Sequence, residues 1–337
     1  MSRAAVLAVD GGNSKTDLAL VGEDGSVLAL VRGPLSSPQH LGVEGCLGVL
    51  ESLLADAVRD ARLGDYAGKV ARVATLLLAG VDFPAEEDAV REAVERRGWA
   101  QQVHVDNDTF AVLRAGTERG WGVAVTCGAG INCVGVSPDG RHARFPALGP
   151  TTGDWGGGYD VGLAAVSAAA RSEDGRGPRT SLEQLVPGHF GVESPTRLAE
   201  DIHRGVIPMR RLAELPPVVF AAASDDAVAA GIVDRLAAEV VALSRVAIQR
   251  LELTGNPVEV LLGGGLLQAG DGRLLDAIAA GLREVGPEIS VHRTNSPPIV
   301  GAVLLALDAL GAPQEAYARA RAEIGNAAGG AERVTVG

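Results

Sequence analysis

Two rhythms of apolar residues alternate along this chain. Short, mostly apolar runs at residues 4–9, 18–21, 27–31, 70–78, 103–105, 122–126, 133–136 and 258–262 predict buried strands. Helical spacing governs residues 43–62, where Leu47, Leu50, Leu54 and Val58 share one face, and also 86–97, 109–115, 227–251, 272–283 and 298–310. Asp108 precedes the 109–115 helix and is a candidate N-cap. Strands alternating with helices predict an α/β protein with mixed sheets covered by helices.

The polar breaks between the first strands carry chemistry. Residues 4–9 lead into Asp10-Gly11-Gly12-Asn13-Ser14-Lys15-Thr16. Glycines let backbone N–H groups close on an anion, and hydroxyls and a lysine add donors, so this is a candidate phosphate loop. A Walker loop is excluded, because Ser14 stands where that pattern needs glycine and the next run is apolar rather than helical. Glu23-Asp24-Gly25 then separates residues 18–21 from 27–31, a hairpin signal. The phosphate loop therefore joins two strands of one sheet. The same grammar returns in Gly128-Ala129-Gly130-Ile131-Asn132 between two apolar runs, followed by Pro138-Asp139-Gly140. Two such units predict two similar lobes, each with a phosphate-binding hairpin. Gly263-Gly264-Gly265 is a third glycine cluster after a strand.

Composition narrows the partners. The chain has 337 residues and a formal charge of −12, which argues against nucleic acid or an anionic membrane as partner. An anionic nucleotide would then need local loops and a cation. Lys15 is one of only two lysines. Cys46, Cys127 and Cys133 are an odd set without zinc spacing, and no apolar stretch or leader pattern predicts a membrane span or export, so a cytoplasmic location is expected. The six histidines form no spaced cluster and are given no metal role.

Asn107-Asp108-Thr109 follows a strand, at the end where α/β proteins place ligands. A carboxylate there could take the proton of an acceptor hydroxyl. Asp108 is the candidate base, with helix capping as its other reading. Asp106 is the competing carboxylate.

Taken in order, the three glycine loops resemble the actin-like ATPase superfamily of sugar kinases, actins and heat-shock ATPases. Asn107-Asp108-Thr109, Gly128-Ala129-Gly130-Ile131-Asn132-Cys133, Gly153-Asp154-Trp155-Gly156-Gly157-Gly158 and Pro298-Ile299-Val300-Gly301-Ala302 bring the resemblance to the BadF/BadG/BcrA/BcrD-type ATPases, a family that includes N-acetylglucosamine kinases. It covers roughly residues 6 to 310. The resemblance implies a two-lobed, ribonuclease H-like fold with a cleft. It implies a first lobe at 1–115, completed by a C-terminal helix at 313–330, and a second at 116–312. ATP and Mg²⁺ are the expected cofactors. Gly11, Gly12, Asn13, Ser14, Lys15 and Thr16, with Gly128, Ala129, Gly130 and Asn132, match the phosphate loops, and Gly263 to Gly265 match the adenosine loop. Asp10 matches the acid near the metal and Asp108 the catalytic carboxylate.

Ser37, Asp82, Asn107, Asp108, Asp154 and Trp155 fall on the acceptor side. Ser37 replaces a usual Asn and Trp155 a usual Glu, so the acceptor is less defined than the phosphotransfer. Asp82 also reads as a surface acid, Asp154 as a turn residue and Trp155 as core packing. The expected function is phosphorylation of a sugar hydroxyl, with an amino sugar such as N-acetylglucosamine or glucosamine as acceptor. A homodimer is left open. An ATPase activator of a radical dehydratase or reductase, sharing an iron–sulfur cluster between subunits, and a catalytically silent sugar sensor are the competing readings. Cysteines flanking a phosphate loop count against the activator.

Overall fold

The computed structural model describes residues 4–64 and 69–332. They form two compact units, one running to Gly122 and resuming at Thr294, the other spanning Val123–Arg293.

The first unit is built on a five-stranded sheet in the order β3-β2-β1-β4-β5. Its strands are β1 (Val6–Gly11), β2 (Lys15–Val21), β3 (Val27–Pro34), β4 (Ala71–Leu78) and β5 (Ala100–Asn107). β1, β2 and β3 form antiparallel hairpins, and β4 and β5 add in parallel. Helices α1 (Pro38–Asp60) and α2 (Pro84–Arg97) supply Leu47, Leu50, Leu54, Val90 and Val94 to a core with Leu7, Leu18, Leu20 and Leu76. Burying each leucine is worth about 1.5–3 kcal/mol. Helix α3 (Thr109–Gly116) leaves the end of β5.

The second unit repeats the plan. Its sheet, read from the hairpin edge, is β8-β7-β6-β9-β10, comprising β6 (Gly122–Cys127), β7 (Ile131–Val136), β8 (His142–Arg144), β9 (Glu259–Gly263) and β10 (Ser290–Arg293). β9 and β10 again add in parallel. Between β8 and β9 lie α4 (Gly157–Glu173), α5 (Leu182–His189), α6 (Pro195–His203), α7 (Pro216–Ala222) and α8 (Ala227–Arg250). The short α9 (Gly265–Gln268) and α10 (Gly272–Val285) follow β9. The sequence pattern names no helix in α4 to α7, although α4 buries Val161, Ala165 and Ala169 at helical spacing.

Three expectations change. Helix α11 (Pro298–Leu310) belongs to the first unit rather than the second, packed on β1, β4 and α3. The reason is Gly301: a Cβ there would lie 1.9 Å from the Ala111 carbonyl oxygen, so only glycine allows this approach to α3. Arg114 on α3 also grips Asp308 on α11 with two hydrogen bonds, at 2.8 and 3.2 Å. The C-terminal helix α12 (Gln314–Glu332) lies in the first unit, where Arg321 donates to the Arg114, Ala115 and Thr117 carbonyls and caps the end of α3. Second, β5 is longer than residues 103–105 and includes Asp106 and Asn107, because the exposed polar residues Gln101, Gln102 and His104 mask its alternation. Third, α1 begins at Pro38 and breaks at Gly42 (φ 67°, ψ 170°), which isolates one turn before the main helix.

Candidate active site

The β1–β2 hairpin turns through Asn13 and Ser14, closed by Gly12 N–H donating to the Lys15 carbonyl at 2.9 Å. Asn13, Ser14 and Lys15 face solvent and Gly12 is half-buried, so the tip presents a lysine, a hydroxyl and backbone amides to an anion. The two ends of the expected loop do different work. Gly11 is buried, and a Cβ on it would meet Leu78 and the Ser36 hydroxyl at 2.4 and 2.5 Å. Thr16 is fully buried, and its hydroxyl donates to Ser36 Oγ at 2.8 Å. Thr16 thus holds the hairpin to the segment after β3, and its hydroxyl is committed internally.

Behind the tip runs a row of charge across the sheet. Asp10 on β1 lies opposite Asp17 on β2, and Asp17 lies opposite Arg32 on β3. Directly opposed residues share a face. Arg32 donates to both Asp17 oxygens, at 2.6 and 3.0 Å. Burial pushes the Asp10 carboxyl up to about 8, with Asp108 and Asp17 adding to the rise and Lys15 and Arg32 opposing it. Asp17 and Arg32 were not singled out by motif, since an ordinary strand can carry both.

The acids at the ends of β4 and β5 form a chain. Asn107 Nδ2 donates to Asp82 Oδ1 at 2.9 Å, and Asn107 Oδ1 accepts from the Thr109 N–H at 2.9 Å. Asn107, not Asp108, therefore caps α3, and the Asp108 side chain makes no capping bond. The expectation of Asp108 as N-cap is corrected: its own backbone is helical (φ −60°, ψ −22°), which hands the cap to the residue before it. Burial, then the neighbouring Asp82, raises the Asp108 carboxyl to about 6, against lowering hydrogen bonds from Thr109. Asp106 accepts from the Asn107 N–H at 2.8 Å. Ser37 is fully buried.

In the second unit three glycine segments converge. Gly128, Ala129 and Gly130 form the exposed β6–β7 tip, and nothing lies within 4 Å of a Cβ built on Gly128 or Gly130. The start of α4 lies against this tip: Gly158 N–H donates to the Gly128 carbonyl at 2.8 Å and Tyr159 N–H to Ala129 at 3.0 Å. Gly157 (φ 77°) makes that possible, since a Cβ there would fall 2.4 Å from the Gly130 oxygen. Gly264 (φ 80°) does the same from the third cluster, with a Cβ position 2.4 Å from the Cys127 oxygen, while Gly263 ends β9 beside Thr126 and Gly265 is open. Asn132 Oδ1 accepts the Cys133 N–H at 2.7 Å. The supporting role of Gly157 and Gly158 was missed, although their glycine run was the available signal.

Asp154 and Trp155 also belong to the second unit. Asp154 closes its own turn, accepting from the Thr152 hydroxyl while its N–H donates to Gly149 at 3.0 Å. The Arg235 guanidinium stacks on the Trp155 ring, 4.0 Å from its centre, in a groove of about 420 Å³ with Leu163, Pro178 and Ile232. That cation–π contact occupies one face of the ring. All three cysteines are free and buried, and burial drives the Cys46 and Cys127 thiols up to about 12 and Cys133 higher still, so none is primed as a nucleophile.

Comparison with known proteins finds relatives over most of the chain. An N-acetylmuramic acid/N-acetylglucosamine kinase of Clostridium acetobutylicum is 28% identical over 303 residues, 89% of this chain and 97% of the relative. An N-acetyl-D-glucosamine kinase of Dictyostelium discoideum is 26% identical over 317 residues, 91% and 99% respectively. In fold, the chain is similar to a Chromobacterium violaceum structure provisionally assigned as an N-acetylglucosamine kinase, with TM-score 0.71, 24% identity, and coverage of 91% of this chain and 100% of that one. A glucokinase of the ROK family from Streptomyces griseus shares the fold more distantly, with TM-score 0.50 and 19% identity over 90% of this chain and 98% of that one. Among the described residues, no helix is long and apolar enough to cross a membrane. Residues 7–306 match the BadF/BadG/BcrA/BcrD ATPase family, and the chain belongs to it.

Proposed function

We propose that this chain is an ATP-dependent carbohydrate kinase that phosphorylates a hydroxyl of an amino sugar, with N-acetylglucosamine the first acceptor to test and glucosamine the second. The observation that carries the reading is the Asp82–Asn107–Thr109 chain, which caps α3 through Asn107 and sets the buried Asp108 carboxyl beside Asp82 at the same strand end. A carboxyl raised to about 6 is still ionised at neutral pH and more basic than an ordinary aspartate, which suits a general base. The relatives named as N-acetylglucosamine kinases support the acceptor class.

The roles divide by unit. Asp108 takes the proton of the acceptor hydroxyl, and Asp82 and Asn107 hold the acceptor side. The Gly12–Lys15 tip binds phosphate in the first unit. In the second, Gly128 to Gly130 with Asn132 bind phosphate, and Gly263 to Gly265 meet the adenosine. Asp10 is the residue that would hold Mg²⁺. Its carboxyl, raised by burial and by Asp108 and Asp17, is one that a cation would favour in ionised form. Among the described residues no cluster of three or more His, Cys, Asp or Glu could hold a metal alone, which fits an ion ligated mainly by nucleotide and water. Bound there, Mg²⁺ supplies charge neutralisation on the transferred phosphoryl group. Cytoplasmic location and a homodimer remain part of the proposal.

The activator reading is disfavoured by three buried thiols, which offer no exposed ligand for a cluster shared between subunits. The silent-sensor reading is disfavoured by the raised Asp108 carboxyl, buried beside Asp82 at the end of β5. The test is ADP release from Mg-ATP across N-acetylglucosamine, glucosamine, N-acetylmuramic acid, N-acetylmannosamine and glucose. Acceptor-dependent turnover is expected, and its absence with every sugar would overturn the kinase reading.

A further inference from the structure

Ser37 occupies the position where the family pattern suggests an acceptor-binding Asn, yet the fold encloses it. It is fully buried, its hydroxyl has no hydrogen-bond partner, and it faces the backbone of Gly80, 2.8 Å from where a Cβ would stand. The side chain that meets solvent at the same place is Gln39. It lies across Gly80, with its Cβ 2.7 Å and its Oε1 3.3 Å from that Cβ position. Gly80 has φ 75°, so the turn needs glycine for its conformation as well as for the close approach.

The turn continues from Gly80 to Asp82, whose carboxylate holds Asn107 and adjoins Asp108. Two residues span at most about 7 Å. Gln39 is therefore one short step along this turn from the acids assigned to the acceptor hydroxyl. Its backbone is set by structure around it. Pro38 starts the turn, Gly42 separates it from the main helix, and the side chain lies against Gly80.

We propose that Gln39 is an acceptor-specificity residue of this chain, reading an N-acyl amide on the sugar. This rests on the sugar-kinase reading above. A carboxamide offers two N–H donors and a carbonyl acceptor, the complement of a secondary amide, which has one of each. A protonated amine would gain more from a carboxylate, and a plain hydroxyl would use only one of the two Gln39 functions. Gln39 is a contact residue for the substituent, not for the reacting atoms.

The test compares the wild-type protein with Gln39→Ala and Gln39→Glu on N-acetylglucosamine, glucosamine and glucose, with ATP KM and Tm measured alongside. Because Gln39 is exposed, both variants should fold, with Tm unchanged. Gln39→Ala should lower kcat/KM for N-acetylglucosamine by about tenfold, the worth of one or two neutral hydrogen bonds, and leave glucose and the ATP KM within about twofold. Gln39→Glu should raise the glucosamine to N-acetylglucosamine ratio by about tenfold or more, since an ionised carboxylate accepts from an ammonium but cannot donate to an acyl carbonyl. An active wild-type enzyme whose three acceptors change in parallel in both variants would overturn the assignment of Gln39 while leaving the kinase reading intact. A wild-type protein inactive on every sugar would overturn both.

Discussion

The two glycine hairpins look alike in sequence but are supported by opposite means. The β1–β2 tip is backed by charge and hydroxyls: Asp10, Asp17 and Arg32 stand in a row across the sheet, and Thr16 ties the hairpin to Ser36. The β6–β7 tip is backed by other glycines: Gly157 and Gly264 let α4 and the β9–α9 turn come within contact of residues 127–130. The first hairpin carries titratable groups whose charge depends on one another. The second offers bare backbone, whose shape depends on positions that tolerate no side chain. Repetition of a motif thus predicts a shared shape, whereas the neighbours of each copy decide its chemistry.

The largest expected effect separates the acid-rich unit from mere scaffolding. Asp108→Asn should reduce kcat by about 10²- to 10⁴-fold while the ATP KM stays within a few-fold, and Asp106→Asn should cost less. If Asp106→Asn removes turnover and Asp108→Asn keeps it, the catalytic carboxylate lies two residues upstream. The wild-type kcat/KM should rise with pH through about 6, as the raised Asp108 carboxyl ionises, and level off above.

The glycine-backed hairpin should break in two distinguishable ways. Gly130→Val projects into open space, so Tm should hold while the ATP Kd rises by about tenfold or more, read by calorimetry. Gly157→Ala should instead cost about 1–3 kcal/mol of stability, because it meets the Gly130 backbone at a positive φ. Equal losses of stability in the two variants would mean that the tip and its support are not separable.

A smaller effect distinguishes the charge-backed hairpin. The folded-state pKa of Asp10, about 8, lies well above its ordinary 3.8. The folded protein therefore keeps a proton that the unfolded chain releases near pH 4, and stability falls as pH rises from about 4 to about 8. Asp10→Asn removes this loss. Its Tm should match the wild type near pH 4 and exceed it by a few degrees above pH 8, in thermal melts without divalent cation. The same variant should weaken Mg²⁺-dependent ATP binding, and a Tm difference independent of pH would contradict the assigned protonation.

The smallest effect concerns Thr16. Thr16→Val should leave the ATP Kd within about twofold and cost about 1 kcal/mol of stability, because its hydroxyl serves Ser36. A large loss of ATP affinity would return Thr16 to the phosphate loop.

Much of this was legible in the sequence because it is local. Apolar runs marked both hairpins and the parallel strands β4, β5 and β9, but not the short β10. Glycine placement marked the turns, and Asn107-Asp108 stood at a strand end whatever the partners proved to be. Ordered motifs over nearly the whole chain carried the family. Other features depended on contacts between distant segments. That Asn107 rather than Asp108 caps α3 follows from the backbone angles at one junction. That α11 joins the first unit follows from Gly301 meeting Ala111, a pairing of residues 190 apart that no periodicity encodes. Thr16 read as a ligand because a hydroxyl suits phosphate, and Ser37 because the family resemblance puts an acceptor-binding Asn there; both lie buried, Thr16 bonded to Ser36 and Ser37 against the Gly80 turn. The chain itself determined its strands, its turns and the types of group it can offer. Tertiary packing decided which of those groups face solvent and which carboxylates share a site, because burial and charge proximity depend on residues far apart in the chain.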